Sequence, residues 1–217
     1  ENNRISFSEK YSSVLPINIT NMKEDHEYFI FVHDQEIIVE FEEKGKFKNL
    51  SNYRYVFLSR RDTSKIQNNE KVIIAKDYED NLEDYPLFTS FTGWYILWKH
   101  NLIKTKYISL FEYDVVINEN IEQIQSRFIY DDFEMIGYVP FPTSNYHFID
   151  NPEWVEYIIP AIKKVHNYDM EKNLRMMMRK NPQLLWSSTS NTTFKVDIFN
   201  EFMKWFEPLI PYLKDTR

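Results

Sequence analysis

The segment Lys106-Tyr-Ile-Ser-Leu-Phe-Glu-Tyr-Asp-Val-Val-Ile117 decides how this sequence is read, because two carboxylates interrupt an apolar run there. Residues 107–111 have the apolar and aromatic character of a buried strand. Side chains alternate along a strand, so Glu112 and Asp114 are expected to point the same way at its end. Two neighbouring carboxylates repel each other, and a hard divalent cation such as Mg²⁺ or Mn²⁺ relieves that repulsion. The pattern therefore indicates a metal site, although Glu-x-Asp also occurs in ordinary solvated turns.

Strand and helix signals alternate along the 217 residues, which predicts a single α/β domain spanning 1–217. Its sheet is expected to be mostly parallel, with about six strands flanked by helices. We expect strands at 28–32, 53–58, 72–75, 107–111 and 134–139, with a short extra piece at 37–41. Helical spacing of apolar residues predicts helices at 86–100, 118–128, 152–166 and 194–206, and a polar loop at 187–193.

Composition excludes several classes of protein. The net charge is −7 and no basic stripe is present, which argues against a nucleic-acid partner. Three dispersed glycines are too few for a Rossmann dinucleotide fingerprint or a phosphate loop. The absence of cysteine excludes disulfides and thiolate metal sites. No apolar run has the length of a membrane span and no signal peptide opens the chain, so we expect a cytoplasmic protein.

Polar residues follow four of the predicted strands. These strand ends are His33-Asp34, Ser59 to Asp62, Lys76 to Asp80, and Glu112 to Asp114. Ligands of open parallel sheets bind outside the carboxyl ends of the strands, so the four ends should line one cleft. Asp77, Glu79, Asp80, Glu83 and Asp84 surround the third end. So many carboxylates would repel a phosphate unless a cation lay between them, which points to a metal-bridged diphosphate ligand.

The order of strands, amphipathic helix and Glu112-Tyr-Asp114 resembles the glycosyltransferases of the GT-A fold, which carry an acidic DxD motif at this point. The runs at 75–86 and 91–94 are similar to the amino-terminal domains of multidomain chlorovirus enzymes that build capsid glycans. The resemblance covers about residues 25–206. It implies a hexosyltransferase that moves a sugar from a UDP-sugar donor to a glycan acceptor. It also implies viral capsid glycan synthesis in the host cytoplasm, on the N-terminal part of a longer enzyme.

The resemblance further implies a metal cofactor, Mn²⁺ or Mg²⁺. Carried over by position, Asp114 binds the metal directly and Glu112 touches the metal or the ribose. The histidine that many relatives supply late in the chain is missing, so the third ligand is expected to be His147 or a water molecule. An inverting enzyme of this fold would place its general base after the fifth strand, where Asp150 and Glu153 stand.

Nucleotide contacts are implied in the same way. Asp77 and Tyr78 lie where the family holds the base and the ribose, and three further candidates for the base pocket are His33, Arg60 and Asp62. Asp77 has a plainer alternative, because it also suits an ordinary turn.

Two other functions stay open. A sugar nucleotidyltransferase would need the glycine-rich loop that this chain lacks. A carbohydrate-binding or assembly module would keep the fold without catalysis. We expect the protein to be a monomer.

Overall fold

A computed structural model describes residues 25–85, 88–117, 121, 128, 131–138, 152–180 and 191–214, with the side chains of 177–180 excepted. Six strands form one sheet in the order β3-β2-β1-β4-β6-β5. Their bounds are β1 His26–Val32, β2 Tyr53–Phe57, β3 Val72–Ile74, β4 Tyr107–Glu112, β5 Met135–Gly137 and β6 Thr192–Lys195. The protein is therefore α/β with a six-stranded mixed sheet, which confirms the predicted class and is compatible with a Rossmann-like fold.

Strand directions locate the point where a ligand is expected. Strands β3, β2, β1 and β4 run parallel, and β6 is antiparallel to both of its neighbours, β4 and β5. The chain passes from β1 to β2 and β3 on one side and then returns to place β4 on the other side of β1. This reversal is a topological switch point, where open α/β sheets bind ligands at the carboxyl ends of the strands.

Helices cover both faces of the sheet. Those in the described residues are α1 Gln35–Lys44, α2 Phe91–Lys99, α3 Ile159–His166, α4 Met170–Lys180, α5 Val196–Phe206 and α6 Ile210–Lys214. A π-helical turn, Trp154–Ile158, leads into α3. None of the helices in this described part is both long and apolar enough to cross a membrane.

The alternation of side chains along the strands divides the core into two clusters. Phe29, Phe31 and Leu110 point to the side of α2 and α5, where they join one cluster. Ile30 and Phe111, their neighbours in sequence, point to the side of α1 and join the other. Every residue of β1 is buried, as expected for a central parallel strand covered on both faces.

Helix α2 lies unusually close to the sheet at Gly93. A Cβ atom built on Gly93 would lie 2.5 Å from Cε1 and 2.8 Å from Cδ1 of Phe31, and 3.3 Å from Cγ1 of Val56. Real Cβ atoms are not found at the two shorter distances. The glycine therefore sets the approach of α2 to β1, and so positions the first turn of α2 beside the switch point.

The expected strand at 37–41 is wrong, because this segment is part of α1. Asp34 caps the helix by accepting a hydrogen bond from the Glu36 N–H at 3.0 Å. Gly45 ends it in the left-handed region at φ 60°, with its N–H directed to the carbonyls of Glu42 and Phe41. Local capping at both ends thus outweighs the strand preference of the apolar residues between them.

The expected loop at 187–193 is corrected at its end, because β6 begins at Thr192. Thr193 is buried, and its Oγ1 lies 2.6 Å from Ser109 Oγ and 3.0 Å from the Tyr138 hydroxyl. These partners allow a polar residue to sit inside the sheet. Boundaries also shift elsewhere: the helix expected from 86 is regular from Phe91, and the last expected helix begins at Val196.

Candidate functional site at the switch point

A cleft of about 660 Å³ opens at the carboxyl ends of β1, β2 and β4, on the side of the sheet that carries α2. Its walls include Phe31, His33, Arg60, Arg61, Glu83 and Glu112. The first turn of α2 and the residues before it complete the lining. The volume lies within the usual range for small-molecule sites. The cleft therefore occupies the position that the topology predicts, and three of the predicted site residues, His33, Arg60 and Glu112, line it.

Glu112 is the last residue of β4, and hydrogen bonds donated by its own N–H and by that of Tyr113 hold it there. Its N–H donates to Oδ1 of the buried Asn191 at 2.8 Å, which connects it to the start of β6. The N–H of Tyr113 donates to the carbonyl of Phe31 in β1 at 3.1 Å. Because Glu112 shares the strand face of Leu110, its side chain reaches the α2 side, where the cleft lies.

Asp114 is placed differently from Glu112. The strand ends at Glu112, and Tyr113 and Asp114 form a turn, so the alternation of strand side chains does not extend to Asp114. Lys46 fastens this turn to the end of α1, since its Nζ donates to the Tyr113 carbonyl at 2.6 Å. Burial lowers the pKa of Lys46, and the charge of Asp114 opposes that shift. Asp114 is exposed and, among the described residues, is not part of the cleft wall.

Two arginines supply positive charge to the cleft. The Arg60 guanidinium donates to Asp84 Oδ2 at 2.6 Å, and Arg61 lies 3.9 Å from Asp34 Oδ2. Both side chains remain largely exposed, so neither pair locks its arginine in place. His33 packs edge-on against Tyr113, with 4.8 Å between the ring centroids. An anionic group that enters the cleft can therefore meet two guanidinium groups and an imidazole.

Three other predicted nucleotide contacts lie elsewhere. Asp62 accepts hydrogen bonds from Ser64, through its N–H and hydroxyl, and from Gln35 Nε2 at 3.1 Å; these bonds lower its pKa. They tie the loop after β2 to the start of α1. Asp77 is exposed, and Tyr78 packs its ring 4.6 Å from that of His100. Neither is part of the described cleft wall, so their ligand roles stay predictions.

His147 and Asp150 lie outside the described residues, so the predicted third metal ligand and general base stay predictions. Glu153 is described, at the start of the segment leading into α3, and it is exposed. Within the described ranges, no group of three His, Cys, Asp or Glu side chains is arranged to hold a metal ion. The donor chemistry of Glu112 nevertheless suits Mg²⁺, which proteins usually hold through one or two carboxylates together with water and substrate phosphates.

Sequence reasoning missed the roles of two residues. Asn191, at the end of a polar stretch, is the residue that holds the Glu112 backbone. Glu83, one of a run of acids, is the member of that run whose two carboxylate oxygens are buried without a hydrogen-bond partner in the described structure. Burial raises the pKa of Glu83. No sequence signal separates Glu83 from Glu79 or Asp80, because only the fold turns it inward.

Comparison of this chain with protein-family models, with curated proteins and with solved structures finds no match. The class of protein is therefore defined by the fold and the site together. It is an α/β protein with a mixed, mostly parallel six-stranded sheet and a polar cleft at its switch point.

Proposed function

We propose that this protein is a metal-dependent glycosyltransferase of the GT-A type, which moves a hexose from a UDP-sugar to the hydroxyl of a glycan acceptor. The observation that carries the proposal is the switch-point cleft with Glu112 at the end of β4 and two arginines across from it. A ligand that suits such walls has an anionic part for the arginines and hydroxyl groups for the carboxylates. Nucleoside diphosphate sugars combine both.

Under this proposal, different residues of the cleft bind different parts of the donor. Arg60 and Arg61 would meet the diphosphate, and His33 would face it from the end of β1. Phe31 and Leu58 supply an apolar wall for a planar base. Fixed contacts of this kind hold the reacting carbon of the donor against the acceptor hydroxyl, which is how positioning lowers the barrier of a bimolecular transfer.

Glu112 would hold the Mn²⁺ or Mg²⁺ ion, with Asp114 as its second ligand after a rearrangement of the turn at 113–114. When bound, such an ion stabilises the negative charge on the departing diphosphate. The hydrogen bond from the Glu112 N–H to Asn191 keeps this carboxylate at the mouth of the cleft. The role of viral capsid glycans as acceptor belongs to the same proposal and rests on the sequence resemblance alone.

A thermal-shift panel of UDP, GDP and CMP, each with and without Mn²⁺, tests the proposal. Ligand at 100 times its dissociation constant stabilises the native state by about 2.7 kcal/mol. In a domain of this size that corresponds to a rise in melting temperature of roughly 5–10 °C. We expect this rise for UDP with Mn²⁺ only. No shift with any nucleotide would instead favour the carbohydrate-binding module.

Two isosteric variants test the metal assignment. Glu112→Gln and Asp114→Asn remove one negative charge each, and both should weaken Mn²⁺-dependent UDP binding and UDP-sugar turnover by at least about tenfold. Glu201→Gln, an exposed acid on α5, is the matched control and should behave as wild type. If Asp114→Asn leaves both properties unchanged, Asp114 is not a metal ligand.

A further inference from the structure

Glu83 stands out among the acids of the cleft because nothing in the described structure satisfies it. Both carboxylate oxygens are buried, and neither has a hydrogen-bond partner in the described part of the chain. Glu83 is nevertheless one of the residues that line the cleft, together with the two arginines that follow β2. A buried carboxylate without donors costs stability, and such groups persist where a ligand supplies the missing hydrogen bonds.

The charges around Glu83 limit what that ligand group can be. Arg60 and Lys76 favour its ionised form, whereas Asp84 opposes it. Arg60 is paired with Asp84 at 2.6 Å and is not hydrogen-bonded to Glu83. The cleft wall holds four further charged or titratable residues, which are His33, Arg61, Tyr85 and Glu112. A phosphate against Glu83 would add a further negative charge, so the matching group must be a hydrogen-bond donor that carries no negative charge.

We propose that Glu83 is a specificity-determining residue that accepts hydrogen bonds from sugar hydroxyls of the bound ligand, which places a sugar ring against the loop between β3 and α2. The inference rests on the proposed function, because a sugar nucleotide supplies both the anion for the arginines and the hydroxyls for Glu83. Two rings of such a ligand carry suitable hydroxyls, the ribose and the transferred hexose. A carboxylate accepting two hydroxyl donors distinguishes sugars that differ in a single hydroxyl.

This role has a consequence for the ligand-free protein. Replacing the carboxylate by the isosteric amide in Glu83→Gln removes a buried charge without changing the side-chain volume. The variant should therefore be at least as thermostable as wild type while binding its ligand more weakly, which is the usual conflict between stability and binding at functional sites. A residue with a purely structural role would lose stability and binding together.

Isothermal titration calorimetry with Mn²⁺ and three probes, UDP, 2′-deoxy-UDP and UDP-glucose, tests the inference on wild type, Glu83→Gln and Glu79→Gln. Glu79 is an exposed acid in the same loop and serves as the matched control. Loss of hydrogen bonds to a charged acceptor predicts a decrease in affinity of about 10- to 100-fold in Glu83→Gln. If Glu83 holds the ribose, UDP binding falls and 2′-deoxy-UDP binding changes less. If it holds the hexose, only UDP-glucose binding falls.

Either of these patterns, with an unchanged or raised melting temperature, supports the inference. Equal affinity of wild type and Glu83→Gln for all three probes overturns it while leaving the proposed function intact. A uniform loss of affinity together with a lower melting temperature also overturns it, because that result describes a structural residue. Absence of binding of every probe to the wild-type protein overturns both proposals together.

Discussion

Replacing Gly93 by alanine should destabilise the protein even though alanine favours helices. The added methyl would meet the Phe31 ring at 2.5 and 2.8 Å and Val56 at 3.3 Å. Phe31 is 1% exposed and belongs to the core cluster on the α2 side, so any displacement of its ring disturbs that packing. Overpacking of a core costs about 1–3 kcal/mol, and two contacts this short point to the upper end. The higher helix propensity of alanine offsets about 1 kcal/mol of this cost, so the free energy of unfolding should fall by about 2 kcal/mol.

Urea denaturation of a double-mutant cycle measures this effect and tests its cause. Phe31→Leu removes the ring edge that the new methyl would strike, so Gly93→Ala should cost at least about 1 kcal/mol less in that background. Gly45→Ala is the control, because its φ of 60° produces strain of about 1 kcal/mol while its Cβ meets only the Lys48 side chain at 3.4 Å. Additive free energies for Gly93→Ala and Phe31→Leu would refute the steric explanation.

Two further predictions concern Asn191 and His26. Asn191→Ala leaves the Glu112 N–H without its acceptor. We therefore expect the free energy of unfolding to fall by about 1–3 kcal/mol and the binding of UDP with Mn²⁺ to weaken. Asn191→Asp keeps the acceptor oxygen and should retain most of the stability and most of the binding. Comparable losses in the two variants would show that the acceptor is not the cause. Burial lowers the pKa of His26 from 6.5 to about 3. As the pH drops from about 6.5 towards 3, the unfolded chain therefore binds a proton at His26 that the folded chain does not. The folded state should lose stability over this range, by about 2 kcal/mol at pH 5. Thermal melts of wild type and His26→Asn across this range check it, and parallel pH profiles would contradict the assignment to His26.

The parallel half of the sheet was predictable from sequence because its strands are buried on both faces. Residues 28–32 are continuously apolar or aromatic, and a covered parallel sheet favours that composition. The antiparallel half was not predictable in the same way. Thr192 and Thr193 read as loop residues, and their place in β6 depends on partners more than fifty positions away in the chain. The strand prediction for 37–41 was wrong because of local signals outside the apolar run, where capping residues favour a helix.

The candidate site was predictable in position and only partly in detail. Polar residues after β1, β2 and β4 line the cleft as predicted, because parallel strands bring their carboxyl ends to one edge, whereas residues 76–80 after β3 are not part of the described cleft wall. The expectation that Glu112 and Asp114 point the same way assumed a strand that extends to Asp114, whereas β4 ends at Glu112. The burial of the Glu83 carboxylate oxygens depends on the tertiary packing around them, which no local pattern encodes.

The lengths of the outermost strands have a consequence for self-association. Both edges of the described sheet, β3 and β5, are strands of three residues. An edge this short offers few unpaired backbone groups to the edge of another molecule, and short edge strands are one way in which proteins avoid joining sheets end to end. A variant that lengthened either edge would therefore be expected to raise the tendency of this chain to aggregate.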